Sequence, residues 1–420
     1  MRVLILHNAY RQFGGEDAAV ARERAMLAAA GHDVHFYGVS NAGVRRPWEH
    51  LAAAVQAPYA VGARVRVGRE IARFRPDVVH VHNFFPLLSP AVYDACRARR
   101  APVVQTLHNY RIQCLNGVLF RDGRACSDCV GRAVPWPGVL HGCYRDSALA
   151  SGPVAAMLVL HRVLRTWSRK VDVFIVPSEF ARERLVAGGL PAAKIAVKPN
   201  FVEPDPGVGG HAGGYAIYVG RLSEEKGVGT LLSAWQELGG RIPLTIVGDG
   251  PMASAVARAA SQTPGITWEG PQPPERTLRL MQDARALIFP SLLSEVLPTV
   301  VAEAFATGLP VIVAAGGSAA SMVSDGRTGL HAAAGDPRDL AAKVRRLWDR
   351  FREARAMGRA ARGEFERSYT AARSREALME IYTLAAERNI ARQTGRRVGP
   401  GGLLSRASGS MFRMPDTRPR

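Results

Sequence analysis

Short apolar runs bounded by polar turn residues recur along the first half of the chain, starting with Val3-Leu4-Ile5-Leu6. Such runs, apolar on both faces, read as strands buried in a parallel sheet rather than as alternating strands with one wet face. Asp77-Val78-Val79-His80-Val81-His82, Val103-Val104-Gln105-Thr106-Leu107-His108, Asp172 to Ser178 and Ile195 to Asn200 continue the series. A helix is expected between Glu16-Asp17, which favour a first turn, and Gly31. Ser147 to Lys170 is expected to form one helix, with apolar Val154 to Leu160 followed by His161, Arg162, Arg165, Arg169 and Lys170. Two readings of that helix stay open: ordinary core construction, or a helix lying on a membrane surface.

Glu203 to Gly214 holds Pro204, Pro206 and five glycines, a composition unsuited to regular structure, and is expected to be a linker. A second alternating series follows, with strands expected at Tyr215–Gly220, Leu244–Val247, Ile266–Glu269, Ala286–Phe289 and Val311–Ala314. The chain therefore divides into a first α/β domain at 1–202 with an insertion at 109–145, a linker at 203–214, and a second α/β domain at 215–388. From 389 to 420 comes an arginine-rich tail expected to be disordered. Two nucleotide-fold domains facing a central cleft are the expected architecture, and the last helix of the second domain is expected to cross back onto the first.

Charge adds less than its size suggests. The net charge is +19, but 50 of the 55 basic residues are arginine, scattered and not interleaved with aromatics on any helix, so nucleic acid is not an expected partner. An anionic membrane surface fits the charge equally well. Neither a signal peptide nor a run of about 18 apolar residues is recognisable, which makes the cytoplasm the expected location, with peripheral contact at the inner face of the membrane left open.

Four of the five cysteines, Cys114, Cys126, Cys129 and Cys143, fall in the glycine- and proline-rich insertion. In a reducing compartment this set reads as a tetrahedral structural zinc site, with free packed thiols and a redox pair as alternatives. His141 could replace one thiolate, and Cys96 reads as a buried leftover.

The chemistry gathers around Ser294 to Pro310, which follows an apolar run and reads as strand, loop, helix, strand. Pro298 suits the first helical position and Gly308 the helix end. The N–H groups at Leu297, Pro298's neighbour Thr299 and Val300, with the positive end of the helix dipole, form an anion site. Glu295 and Glu303 flank it, roughly 10 to 12 Å apart. Gly14-Gly15 lets backbone approach a ligand, and His82 and His108 end strands where a parallel sheet presents its ligand edge. Arg221 and Lys226 occupy another such strand end. Taken singly, each of these has a plain structural explanation.

Together they carry a resemblance. Glu295, seven residues, Glu303, with Pro298 three after the first Glu and Ala304-x-Ala306-x-Gly308-x-Pro310 after the second, resembles the nucleotide-sugar signature of the family-4 retaining glycosyltransferases of GT-B fold. Gly220-Arg221-Leu222, three residues, Lys226-Gly227 is similar to that family's diphosphate clamp, and Val247 to Pro251 to its next strand-helix turn. The match departs at Val296-Leu297, where a common form has Gly-Phe, and at Gly317 to Gly326, where Ser321 replaces an expected carboxylate.

The resemblance implies that Glu295 approaches the donor sugar and Glu303 binds ribose hydroxyls. It places His108 beside donor sugar and acceptor, Gly15 near the phosphates, and Arg221 and Lys226 on the diphosphate, with Leu297, Pro298 and Thr299 contributing to the donor site. It implies transfer of a hexose from a UDP- or GDP-sugar to a saccharide or lipid-linked saccharide, by analogy with retention. With no Asp-x-Asp in the chain, no metal cofactor is expected for catalysis. A nucleotide-sugar epimerase of the same fold and a non-catalytic nucleotide-sugar binder are the alternatives; the Glu295/Glu303 pair with Arg221 and Lys226 favours transfer.

Overall fold

The computed structural model describes residues 1–11, 14–293 and 295–395. Phe13 and Ser294, and the tail from 396 onward, lie outside the described residues.

The first domain contains β1 (Arg2–Ala9), β2 (Asp33–Ser40), β3 (Val78–Val81), β4 (Val103–Thr106), a small hairpin β5 (Phe120–Arg121) and β6 (Arg124–Ala125), β7 (Val173–Val176) and β8 (Ile195–Val197). Its parallel sheet runs β2-β1-β3-β4-β7-β8. The second domain contains β9 (Ala216–Val219), β10 (Leu244–Val247), β11 (Ile266–Gly270), β12 (Ala286–Phe289), β13 (Val311–Ala314) and β14 (Gly329–Ala332), in the order β11-β10-β9-β12-β13-β14. Both are Rossmann-like. Every pair in the two large sheets is parallel, so each crossover helix is thrown onto a face and the central strands are buried on both sides. That burial is why β7, β12 and β13 are legible as continuous apolar runs and β3, β4 and β10 as mostly apolar ones.

The small hairpin β5–β6 and two strands of the large sheets, β2 and β14, are absent from the sequence reading; β2 and β14 are sheet edges. Asp33-Val-His-Phe-Tyr-Gly-Val-Ser stays partly exposed along its length, and Gly329-Leu-His-Ala places His331 in a short strand. Neither carries the unbroken apolar run that marks a buried strand.

The expected single helix at 147–170 is divided. Ala148–Val163 ends where Arg165 takes a left-handed conformation, and Thr166–Arg169 forms a separate turn. The break turns the chain so that Trp167 packs against Phe84 and Tyr93.

The last helix, Ala371–Thr394, crosses onto the first sheet. Leu378, Ile381, Tyr382, Leu384 and Ala385 are buried with Val3, Ile5, Val104 and Val173. Each of the buried Leu and Ile side chains contributes about 1.5–3 kcal/mol, which ties the two domains together through one helix. The disorder expected from Asn389 is corrected here for 389–394. Asn389 is buried and donates to Arg100 O at 2.7 Å, and Arg392 pairs with Asp172, so tertiary partners order a stretch whose composition alone offers none.

Candidate active site

The order of the second sheet reverses between β9 and β12, and in open α/β sheets the crevice at the carboxyl ends of strands on either side of such a point accepts ligands. There the chain has its main cleft. Tyr218, Val219 and Gly220 at the end of β9 and Phe289 at the end of β12 form one wall. Gly15, Glu16, His108, Pro177 and Asn200, all just beyond strands of the first sheet, form the opposite wall. The cavity between them is about 390 Å³ and opens to solvent, within the range of small-ligand sites.

The second-domain wall is shaped by two close backbone approaches. Gly227 has φ +73°, and a Cβ there would stand 2.0 Å from Pro290 O, so only glycine lets the turn carrying Lys226 lie against the end of β12. A Cβ at Gly248 would meet Gly220 O at 1.9 Å. The loop after β12 is tied to the same turn: Leu292 N–H donates to Glu225 O at 2.9 Å. Consequently Lys226 Nζ reaches Glu295 Oε1 at 2.6 Å, and Ser291 Oγ donates to that oxygen at 3.1 Å.

Beyond the loop, Thr299–Ala306 is helical with Pro298 as its N-cap in extended conformation. The helix thus starts one position later than the sequence predicts, because ψ of 108° keeps Pro298 out of it. Val296, Leu297, Pro298, Thr299 and Val300 line the cleft at that helix start, where unpaired N–H groups and the helix dipole favour an anion.

Of the residues singled out from the sequence, Gly15, His108, Lys226, Glu295, Leu297, Pro298 and Thr299 line this one cleft. Arg221 and Glu303 do not. Arg221 follows the lining residue Gly220 with its side chain exposed and its carbonyl accepting from Tyr218 Oη at 2.8 Å. Glu303, deeper in its helix, faces the first domain, where Arg22 Nη1 lies 3.7 Å from its Oε1. Burial raises the Glu303 pKa, and Arg22 opposes the shift.

On the first-domain wall His108 Nε2 meets His82 Nδ1 at 2.9 Å. His82 is buried, so its side chain packs behind His108 rather than forming the main wall. Sequence reasoning had used Glu16 only as a helix-start residue. In the cleft it accepts from Tyr10 Oη at 2.9 Å and lies 3.4 Å from Asn109 Nδ2, while burial pushes its carboxyl up to about 7. Asn200 was also passed over, although its place at a strand end is the signal that marked His108.

The insertion brings Cys114, Cys126, Cys129 and Cys143 around one small cavity floored by Leu115 and Leu119. All four are free thiols. Cys129 is raised to about 11, first by burial and further by the nearby thiols, which is the mutual repulsion a cation would relieve. The donor set fits zinc in kind and number. The sulfurs stand further apart than ligands of one tetrahedral ion; among the described residues the tight three-ligand cluster is instead Glu23, His80 and His82. His141 is exposed and outside this cavity, and Cys96 is buried in the main core.

Residues 13–206 match the family model described as Glycosyltransferase Family 4, and residues 213–350 the model Glycosyl transferases group 1. Sulfoquinovosyl transferase SQD2 of Arabidopsis thaliana is 25% identical over 74% of this chain. The chain spans less than two thirds of that relative, 58%. A D-inositol 3-phosphate glycosyltransferase of Nocardia farcinica is 26% identical over 89% of this chain and 85% of its own length. Among solved structures, Anabaena Alr3699/HepE in complex with UDP superposes with a TM-score of 0.66 at 14% identity, covering 91% of this chain and all of that one, a likeness of fold. Among the described residues no helix is long and apolar enough to cross a membrane.

Proposed function

The chain belongs to the glycosyltransferases of the two-domain GT-B fold, and from that premise we propose that it transfers a hexose from a UDP- or GDP-sugar to a saccharide acceptor. The observation that carries the reading is the Lys226–Glu295 pair at 2.6 Å, held beside the start of the Thr299–Ala306 helix and facing His108 across one cleft. A diphosphate at that helix start meets backbone N–H groups and the positive dipole end, with Lys226 beside it. As the glycosidic bond breaks, negative charge grows on the leaving diphosphate, and these preorganised groups stabilise it without reorienting. Glu295, released from Lys226 by the phosphate, is then free to accept from the donor sugar's hydroxyls. Arg221 completes the clamp from the cleft rim, and Glu303 accepts from the ribose hydroxyls. Thermal-shift titration with a panel of UDP- and GDP-sugars, followed by release of the nucleoside diphosphate with acceptor, tests this. Absence of both stabilisation and release sinks it. Retention of configuration follows the family analogy and is read from the anomeric coupling of the product.

The acceptor we propose is lipid-linked, presented at the inner face of the membrane. Support comes from the first domain, where Trp48, Leu51 and Val55 on Pro47–Gln56 and Trp136 and Leu140 on Trp136–Leu140 are exposed. Both of these helices pack on Ala148–Val163. Arg46 stacks on Trp48 and Arg132 on Trp136, so cations rim the apolar surface, as an anionic bilayer requires. For the insertion we propose one structural zinc held by Cys114, Cys126, Cys129 and Cys143, whose sulfurs must draw together around the ion on binding. Bound zinc would cross-link a segment whose regular structure is limited to a two-residue hairpin and one short helix.

A further inference from the structure

Behind the first-domain wall lies a buried charged cluster. Glu23 Oε1 is 3.1 Å from His80 Nδ1 and 3.3 Å from His82 Nε2, and Glu23 Oε2 is 3.1 Å from Lys198 Nζ. Glu23, His80, His82 and Lys198 are all buried. A carboxylate with two imidazoles has the composition of a metal site. Lys198 argues against one, because its ammonium already occupies the second carboxylate oxygen and would repel a divalent ion. His80 is committed elsewhere too, with Tyr382 Oη at 2.8 Å and Thr106 Oγ1 at 2.7 Å. The cluster is charge-balanced as it stands.

Its protonation pattern follows from the partners. Burial works to raise the Glu23 carboxyl, but Lys198 and then His80 overcome it and hold the group ionised. Burial and the neighbouring His80 push His82 down to about 3, and burial and His82 lower His108, so both rings are neutral at pH 7. A neutral imidazole has one N–H and one lone pair. His82 Nε2 faces Glu23 Oε1 at 3.3 Å and makes no hydrogen bond elsewhere, and a carboxylate only accepts, so the His82 proton sits on Nε2. That leaves a lone pair at His82 Nδ1, which lies 2.9 Å from His108 Nε2. His108 must therefore carry its proton on Nε2.

We propose that Glu23 and His82 are positioning residues that fix the tautomer of His108. Glu23 accepts from His82 Nε2–H and His82 Nδ1 accepts from His108 Nε2–H, so His108 offers the cleft a lone pair on Nδ1. No proton is transferred. The consequence is chemical selectivity: Nδ1 accepts from a hydroxyl and repels a phosphate oxygen. This wall of the cleft is thereby built for a sugar hydroxyl, while the helix start opposite is built for the anion. Naming the hydroxyl as a sugar's rests on the glycosyltransferase reading, whereas the tautomer itself does not.

Long-range proton–nitrogen correlation spectra of the full chain labelled with 15N-histidine test it, with the His108 ring assigned by its loss in His108→Gln. In the wild type His108 is expected to be protonated at Nε2 and bare at Nδ1. In Glu23→Gln the amide oxygen stays with Lys198 and the amide NH₂ turns to His82 Nε2, which reverses both rings and moves the His108 proton to Nδ1. With turnover as a second readout, Glu23→Gln should lose roughly tenfold in kcat/KM, about one hydrogen bond, with nucleoside diphosphate affinity unchanged. A wild-type His108 protonated at Nδ1 overturns the proposal whether or not the variant folds, as does an unchanged His108 in a folded Glu23→Gln. If instead the glycosyltransferase reading fails, the wild type shows no turnover while the tautomer pattern remains.

Discussion

Arg22 of the first domain and Glu303 of the second face each other with Nη1 and Oε1 3.7 Å apart, each side chain 23% exposed. The pair bridges two helices that begin at opposite walls of the cleft, Gly15–Ala29 and Thr299–Ala306. Glu303 thus lies outside the cleft lining, turned toward Arg22 of the first domain. If it binds ribose, Glu303→Gln loses charge-assisted hydrogen bonds worth about 1.5 to 3 kcal/mol, or roughly 10- to 150-fold in nucleoside diphosphate affinity. Calorimetric titration checks this, and an unchanged affinity removes the role.

Transfer should need no added divalent metal. Lys226→Ala or Arg221→Ala should slow turnover roughly 100- to 1000-fold, as expected for removing a preorganised group at developing charge. The chelator test is kept brief and run beside thermal melting, so that loss of the insertion's zinc is not mistaken for loss of a catalytic metal. A folded, chelated sample that is inactive until magnesium or manganese is restored would overturn the clamp.

Purified protein should carry about one zinc per chain, and Cys126→Ser should lower the melting temperature of the first domain more than it alters donor affinity. Elemental analysis without zinc, with all four insertion thiols freely titratable, contradicts the site.

Stability should fall as the solution is acidified from pH 7 to 5. Burial holds His82 near 3 and His161 near 4, while the same rings unfold to about 6.5. The unfolded chain therefore binds more protons in that window, and stability rises with pH across it. Glu16, raised to about 7, acts in the opposite sense: the folded state holds its proton longer than the unfolded chain, so its contribution declines as pH rises from about 4.5 to 7. Glu16→Gln should then raise the melting temperature more at pH 8 than at pH 5, steepening the acid slope. Parallel melting curves of wild type and variant are the test.

Trp48→Glu with Leu51→Glu should abolish co-sedimentation with vesicles containing phosphatidylglycerol and leave the melting temperature unchanged, since both side chains are exposed. Arginines at the rim should add about 1 kcal/mol each near an anionic surface, so binding should weaken with salt. Wild-type protein that ignores such vesicles refutes the surface.

Much of this molecule was legible because its strands are short and buried on both faces. The apolar runs at Val173–Val176, Ala286–Phe289 and Val311–Ala314 have no other use, and the breaks after them mark the ligand edge. The edge strands β2 and β14 were not legible, since β2 stays partly exposed along its length and β14 is four residues with Gly329 and His331 interrupting any apolar run. The order within Asn389–Thr394 was hidden for a different reason. Its partners, Arg100 and Asp172, lie more than 200 residues earlier, and composition cannot register a contact at that separation.

By itself the sequence determined two parallel α/β domains, the carboxylate pair, the Lys226 turn and the strand-end His108, because these depend on local runs and short spacings. Tertiary structure alone decided that Lys226 meets Glu295, that Arg22 meets Glu303 and that Glu23 stands behind His82 and His108. Each of those pairs is made by strands and helices far apart in the chain, and a charge in a sequence carries no sign of which buried partner will offset its desolvation.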